Sequence, residues 1–392
     1  MTDTPQEYKE IAPYDDSEFR KEMSVLIEEP GFENAIRYVM PDADFAELKA
    51  SLLKLNTKEE FQKLVMVNIL LMLEKKTTAG VTETGLDRFD PAKGALFITN
   101  HRDIVLDASF LGLAMIRRGL RAQKVALGDN LLIYEWIEKL VRLNKGIIVK
   151  RNLRLTKALE AAKQLSGYIH FCISQNNESI WIAQREGRAK DSNDVTQESV
   201  LKMLALTGKA DNVLGRLMEL NIIPTSISYE YDPTDYLKAR EFLARRRDPE
   251  FKKCQRDDLL SMETGILKYK GRVHFSVGEP LNNSLAAIDP TLDKVEVIRR
   301  VCAIIDREIH LGYEIYPLNY IAYDTVNGTD IFADKYTAED VAAFNRYLDG
   351  QLDKVDLPDI TPDERTYMRD IVLNMYANPL RNKLAAREAV HA

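Results

Sequence analysis

Between Gly94 and Gly278, short apolar runs alternate with longer segments of helical spacing, and no other feature of the chain restricts its fold so tightly. GALFIT (94–99), KVALG (124–128), GIIVK (146–150), SIWIAQ (179–184), IIPTSIS (222–228) and RVHFSVG (272–278) read as strands. Helical stretches over 104–118, 131–143, 153–174 and 196–219 separate them. Parallel neighbours need a crossover long enough to hold a helix, and such helices cover both faces of the sheet. The expected class is therefore α/β: a largely parallel sheet with helices on both faces.

Both ends read as helical. Thr57 and Glu60 form a capping-box pattern, and Phe61, Leu64, Val65, Asn68, Leu71 and Met72 follow at helical spacing. Val67, Ile69, Leu70 and Leu73 make this helix apolar nearly all round. Burial beneath the next domain is the expected explanation, with an interfacial helix touching lipid as the sharper alternative. The run LVMVNILLML (64–73) is too short to span a bilayer, which takes about 20 residues. Beyond Pro280, Asp289-Pro290 is expected to open a helix with Val295, Ile298, Val301, Ile304 and Ile305 on its apolar side. Tyrosines follow at 313, 316, 320 and 323, and Thr361-Pro362-Asp363-Glu364 starts another helix. The charged segment between Pro233 and Gly271, with its ARRRD run, reads as an exposed helical insert. Three regions result: helical 1–78, an α/β domain over 79–285, and helical 286–392.

The formal net charge of −7 argues against a nucleic-acid partner, which would call for a basic surplus. Cys172, Cys254 and Cys302 are few, far apart and unlike a metal-ligand set, as in a reducing cytoplasm. The polar, acidic start MTDTPQEYKE does not read as a signal peptide. The expected location is the cytoplasm, with peripheral contact at the inner face of the membrane.

Polar residues follow three of the strands. GALFIT leads into Asn100-His101-Arg102-Asp103 and then Asp107; GIIVK ends on Lys150 and leads into Arg151; SIWIAQ leads into Arg185-Glu186-Gly187-Arg188. Ligands of open parallel sheets bind beyond the carboxyl ends of the strands, so these residues are expected to share one edge. A histidine with a following carboxylate is a base with an orienter. Asp107 is the preferred orienter and Asp103 the rival. No serine or cysteine stands where a nucleophile would, so the proton would come from an acceptor's own hydroxyl. Arg151 and Arg188 offer planar forks for phosphate oxygens, Glu186 either an acceptor for a hydroxyl or a hold on an arginine, and Gly187 room for close approach. A solvated charged loop is the plain alternative for these four. Donors near the start of the 104–118 helix are candidates for an oxyanion site.

These motifs resemble those of the glycerol-3-phosphate and lysophosphatidate acyltransferase family. NHRDIVLD resembles its Asn-His…Asp motif, Gly146-Ile-Ile-Val-Lys-Arg151 its second motif, REGRAK (185–190) its third, and Ile222-Ile223-Pro224 its fourth. The strand ending in Gly278-Glu279-Pro280 is similar to the family's closing segment. The resemblance covers roughly residues 80–285, with two departures. Five residues rather than four lie between His101 and Asp107, and no residue separates Gly187 from Arg188. The resemblance implies acyl transfer from acyl-CoA or acyl-carrier protein to glycerol phosphate or a lysophospholipid, with no further cofactor and no metal. It implies His101 and Asp107 as the catalytic pair. Arg102, Lys150, Arg151, Glu186, Gly187 and Arg188 would serve the substrate, and Pro224 would shape an acyl pocket. Arg102 after the histidine leans toward glycerol-3-phosphate as acceptor.

His101-Arg102-Asp103 also imitates a kinase catalytic loop, but Ala108 stands where that loop needs Asn. A thioesterase and a non-catalytic lipid-binding protein remain as alternatives. His170, His274, His310 and His391 have no comparable context. The basic runs RRGLRAQK (117–124) and RRR (245–247) read either as solvated helix faces or as contacts for anionic headgroups or carrier protein.

Overall fold

The computed structural model describes residues 3–391. Seven strands form one sheet: β1 (Val81–Thr84), β2 (Leu96–Thr99), β3 (Lys124–Gly128), β4 (Gly146–Val149), β5 (Ile180–Ala183), β6 (Ile222–Tyr229) and β7 (Val273–Val277). Their order is β1-β7-β6-β2-β5-β3-β4, and every pairing is parallel except β6 with β7. The strands β2 to β6 therefore end at one edge. The expected α/β class, flanked by helices at both ends, is the observed one.

Side chains alternate between the two faces, and each face has its own core. Phe97, Trp181, Ile223 and Ile227 pack with the helices Val67–Thr77 and Leu106–Arg117. Leu96, Ile98, Ile180, Ile182 and Ile222 pack on the other face with Leu155–Ser174 and Lys294–Gly312. Cover on both faces explains why the strands read as continuous apolar runs. β1, with sequence VTET, lies at an edge and was not legible in that way. The 196–219 stretch is two helices, Glu198–Leu204 and Val213–Met218, with Gly208 at φ +124° between them.

The 67–77 helix buries Leu70 and Leu73 against the sheet layer, while Leu71 faces solvent. Just before it, Leu64 is 60% exposed on a π-helical turn, Gln62–Met66. Nearer the start, the Ile11 carbonyl accepts from Ile148 N at 2.9 Å, so the chain there lies along the outer edge of β4.

Two expectations need correction. The helix after Pro290 begins at Lys294, because Asp293 rather than Asp289 accepts from its first amides, Val295 N and Glu296 N. Asp289 instead caps a turn through Thr291 N at 2.8 Å, and Val295 is 62% exposed. The charged insert is no exposed excursion. Its helix Asp235–Arg247 buries Ala239 and Leu243 against Tyr316, Leu318 and Tyr376. The arginine run serves the same contact: Arg247 makes two bonds of 2.7 Å to Glu364, and Arg246 stacks over Tyr367.

Candidate active site

His101 stands in the turn between β2 and the Leu106–Arg117 helix. Its Nδ1 lies 2.8 Å from Asp107 Oδ2, and the same oxygen accepts from Arg102 N (2.6 Å) and Asp103 N (3.1 Å). An oxygen already holding two N–H donors takes a third from the ring, which fixes Nδ1 as the protonated nitrogen and leaves Nε2 with a free lone pair. The imidazole also meets Trp181 edge-on, with ring centroids 5.4 Å apart. The helix starts at Leu106, so Asp107 sits in its first turn with its carboxylate facing the His101 ring.

The rival carboxylate has another task. Asp103 Oδ1 accepts from Val105 N (2.9 Å) and Leu106 N (2.7 Å), closing the helix start. Burial and the neighbouring Asp107 raise its pKa. Cover comes from the insert helix Gln255–Leu267: a Cβ on Gly265 would overlap Asp103 Oδ2, so only glycine lets the helix pack there. The amides of residues 102, 103, 105 and 106 are thus all spent on carboxylates. They do not form the oxyanion site that the sequence suggested.

Arg102 also departs from expectation. Its guanidinium is buried and grips both oxygens of Asp194, at 3.0 and 2.6 Å, while the Tyr313 hydroxyl donates to the same carboxylate at 2.5 Å. Burial is the largest influence and would lower its pKa, but Asp194, Tyr313 and Asp232 together raise it overall. A fork held on both teeth is structural rather than a grip for substrate. His310 supports this pair from behind, its Nε2 meeting Asp194 O at 2.8 Å.

Residues 80–227 match the family model described as Acyltransferase. Over this segment the chain is similar to the acyltransferase family. Among solved structures, the 1-acyl-sn-glycerophosphate (LPA) acyltransferase PlsC from Thermotoga maritima aligns over 75% of this chain and 93% of its own, at 11% identity and a TM-score of 0.38. The signal recognition particle 54 kDa protein from Aeropyrum pernix K1, in complex with GDP, aligns over 96% and 94%, at 11% identity and a TM-score of 0.20. At these scores neither alignment carries an argument about the site. No curated protein matches the chain.

In the acyltransferase domain, the loops after β4 and β5 meet at the same sheet edge. Arg151 Nη1 lies 3.5 Å from Glu186 Oε1, and both border a groove of about 400 Å³. Its walls include Ile148, Val149, Ile182 and Met203; its polar rim includes Lys150 and Arg185. Lys150 is paired with Glu10. Arg188 turns the other way, donating to Thr234 Oγ1 at 3.3 Å, so Arg151 and Arg188 do not share one grip. Gly187 has φ +70°, and no atom lies within 4 Å of the point where a Cβ would sit; its conformation, rather than close approach, calls for glycine. Pro224 is buried within β6, in register with Ile98, and its carbonyl accepts from Gly278 N at 2.9 Å. It does not border the groove.

Arg185, left out of the expected substrate residues, borders both this groove and a second cavity shared with Arg188, Lys190 and Arg245. Its Nε is buried without a hydrogen-bond partner. Thr99 Oγ1, Asp107 Oδ1, Trp181 Nε1, both amide atoms of Gln184, Thr225 Oγ1 and Tyr229 Oη share that condition, on β2, β5, β6, the loop after β5 or the first turn of the Leu106–Arg117 helix. Tyr229 is buried beside Asp107, short of hydrogen-bond geometry; burial and the two carboxylates hold its phenol well above its ordinary value. Native interiors rarely leave polar atoms unpaired, so these atoms are candidates for contact with a polar ligand. A sequence signal for Arg185 existed: it directly precedes the Glu-Gly pair.

The other histidines are engaged elsewhere. His170 bonds Leu204 O, and His274 meets the hydroxyls of Thr82 and Thr84. The His391 side chain lies outside the described residues.

Proposed function

We propose that this acyltransferase moves a fatty acyl group from acyl-CoA or acyl-carrier protein to a hydroxyl of glycerol-3-phosphate or lysophosphatidate. The observation that carries the reading is His101, held through Nδ1 by Asp107 and leaving Nε2 for the acceptor's proton. Nε2 takes the hydroxyl proton as the oxygen attacks the thioester carbonyl. The tetrahedral adduct then expels the thiolate, which recovers the proton from the imidazolium. No covalent acyl-enzyme is required. Arg185 and Arg151 are the side chains offered to the acceptor phosphate, since Arg102 is consumed by Asp194. The apolar walls of the groove suit an acyl chain.

The test is thiol release from palmitoyl-CoA and from acyl-carrier protein, with and without each acceptor, in wild type and His101→Ala. Acceptor-dependent release that falls about 10²–10⁴-fold in the variant is expected. Release independent of any acceptor would make the protein a thioesterase. No release, with lipid binding intact in the variant, would leave a non-catalytic lipid binder.

A further inference from the structure

Both basic runs that the sequence offers for contact with anionic surfaces are used up inside the molecule. Arg117 pairs with Glu74, Arg118 with Glu83, and Lys124 with Glu178. Arg245 pairs with Glu241 and Arg247 with Glu364. Cations without such ties stand elsewhere. Between β4 and the first turns of the Leu155–Ser174 helix, Arg154 and Lys157 are exposed, and among the described residues neither side chain has an ion-pair or hydrogen-bond partner. Leucines alternate with them: Leu153 is 37% exposed, Leu155 92% and Leu159 51%.

A helix start in water ordinarily turns leucines inward. Here Leu155 and Leu159, one turn apart, share an outward face. From Lys150 to Lys163, Glu160 is the only acid among five cations. The patch also adjoins the groove at the carboxyl edge of the sheet, since Leu153, Arg151 and Ala158 border that groove. The chain as a whole carries −7 and would be repelled by an anionic surface, so attraction has to be local and oriented.

We propose that residues 153–159 dock the acyltransferase domain on an anionic lipid bilayer. Leu155 and Leu159 enter the boundary between headgroups and acyl chains, and Arg154 and Lys157 meet lipid phosphates. The groove then opens toward the membrane, and an acyl product reaches lipid without crossing water. Only this last consequence rests on the proposed function. Among the described residues no helix is long and apolar enough to cross a membrane. Shallow contact of this kind needs none.

The experiment is sedimentation of the full chain with phosphatidylcholine vesicles, with and without phosphatidylglycerol. The variants are Leu155→Asp with Leu159→Asp, and Arg154→Glu with Lys157→Glu. Each pair is expected to weaken binding to anionic vesicles at least about tenfold, with thermal melting unchanged. Failure of the wild type to bind, or binding by both variants as tight as that of the wild type, overturns the proposal. So does a result in which the variants lose acyl-carrier protein but keep vesicles, which would make the patch a protein-docking surface. Acyl transfer from a short, water-soluble thioester to glycerol-3-phosphate, without vesicles, is expected to proceed at the wild-type rate in both variants. If no variant and no wild type transfers acyl groups, yet vesicle binding still depends on Leu155 and Leu159, the function proposed above falls and the docking surface stands.

Discussion

The turn after β2 and the loop after β5 lie at one sheet edge on adjacent strands, and they are built in opposite ways. In the first, the described polar groups are largely committed: two carboxylates take four amides and an imidazole, and Arg102 is locked on Asp194. In the second, the side-chain amide of Gln184 and Arg185 Nε have no hydrogen-bond partner, and Gly187 holds a left-handed turn in open space. A closed turn holds one group, His101, in a fixed pose. An open loop leaves donors for something that arrives. Changes in the first are therefore expected to cost stability or turnover, and changes in the second to cost binding.

Arg102→Ala is the strongest way to break this contrast. It strands the buried Asp194 carboxylate and is expected to lower stability by about 3–5 kcal/mol, read from urea denaturation. Were Arg102 a phosphate grip, the loss would fall on acceptor KM with stability intact. Asp107→Asn comes next: the turn keeps most of its amide bonds, but the ring loses its orienter, and kcat is expected to fall about a hundredfold. An equal loss in Asp103→Asn would show that the roles of the two aspartates had been divided wrongly. Arg185→Ala sharpens the other side. Acceptor KM is expected to rise about tenfold, with stability within roughly 0.5 kcal/mol of wild type. A fall in kcat alone would contradict the assignment. The smallest effect is that of Asp103→Ala, where losing the helix cap costs about 1 kcal/mol, visible as a lower melting temperature.

The contrast also explains what was legible in the sequence. The strands β2, β4 and β5 announced themselves because burial on both faces demands nearly unbroken apolar runs, and β3 and β7 by alternation, whereas the edge strand β1 carries VTET and gave neither signal. His101 and the two candidate carboxylates were visible, but the choice between them depends on where the helix begins, and spacing alone does not fix that. Arg102 was misread because its partner, Asp194, lies 92 residues away. The two basic runs were open to the same error: their acids come from distant elements, such as Glu74, Glu83 and Glu364. Charge is read locally in a sequence and neutralised globally in a fold. The leucines at 155 and 159 were taken as part of an ordinary helix, since exposure is not written in helical spacing.

One backbone contact at the far side of the sheet bears on how the molecule behaves among its own copies. β4 is the last strand in the order, and a terminal strand offers a row of N–H and C=O groups to any extended chain that comes by. The bond from Ile148 N to Ile11 O, with Lys150 held to Glu10, places the chain's own early residues on that row. Removing residues 3–12 would uncover it. Self-association that grows with protein concentration is the expected result, read from sedimentation of the shortened chain.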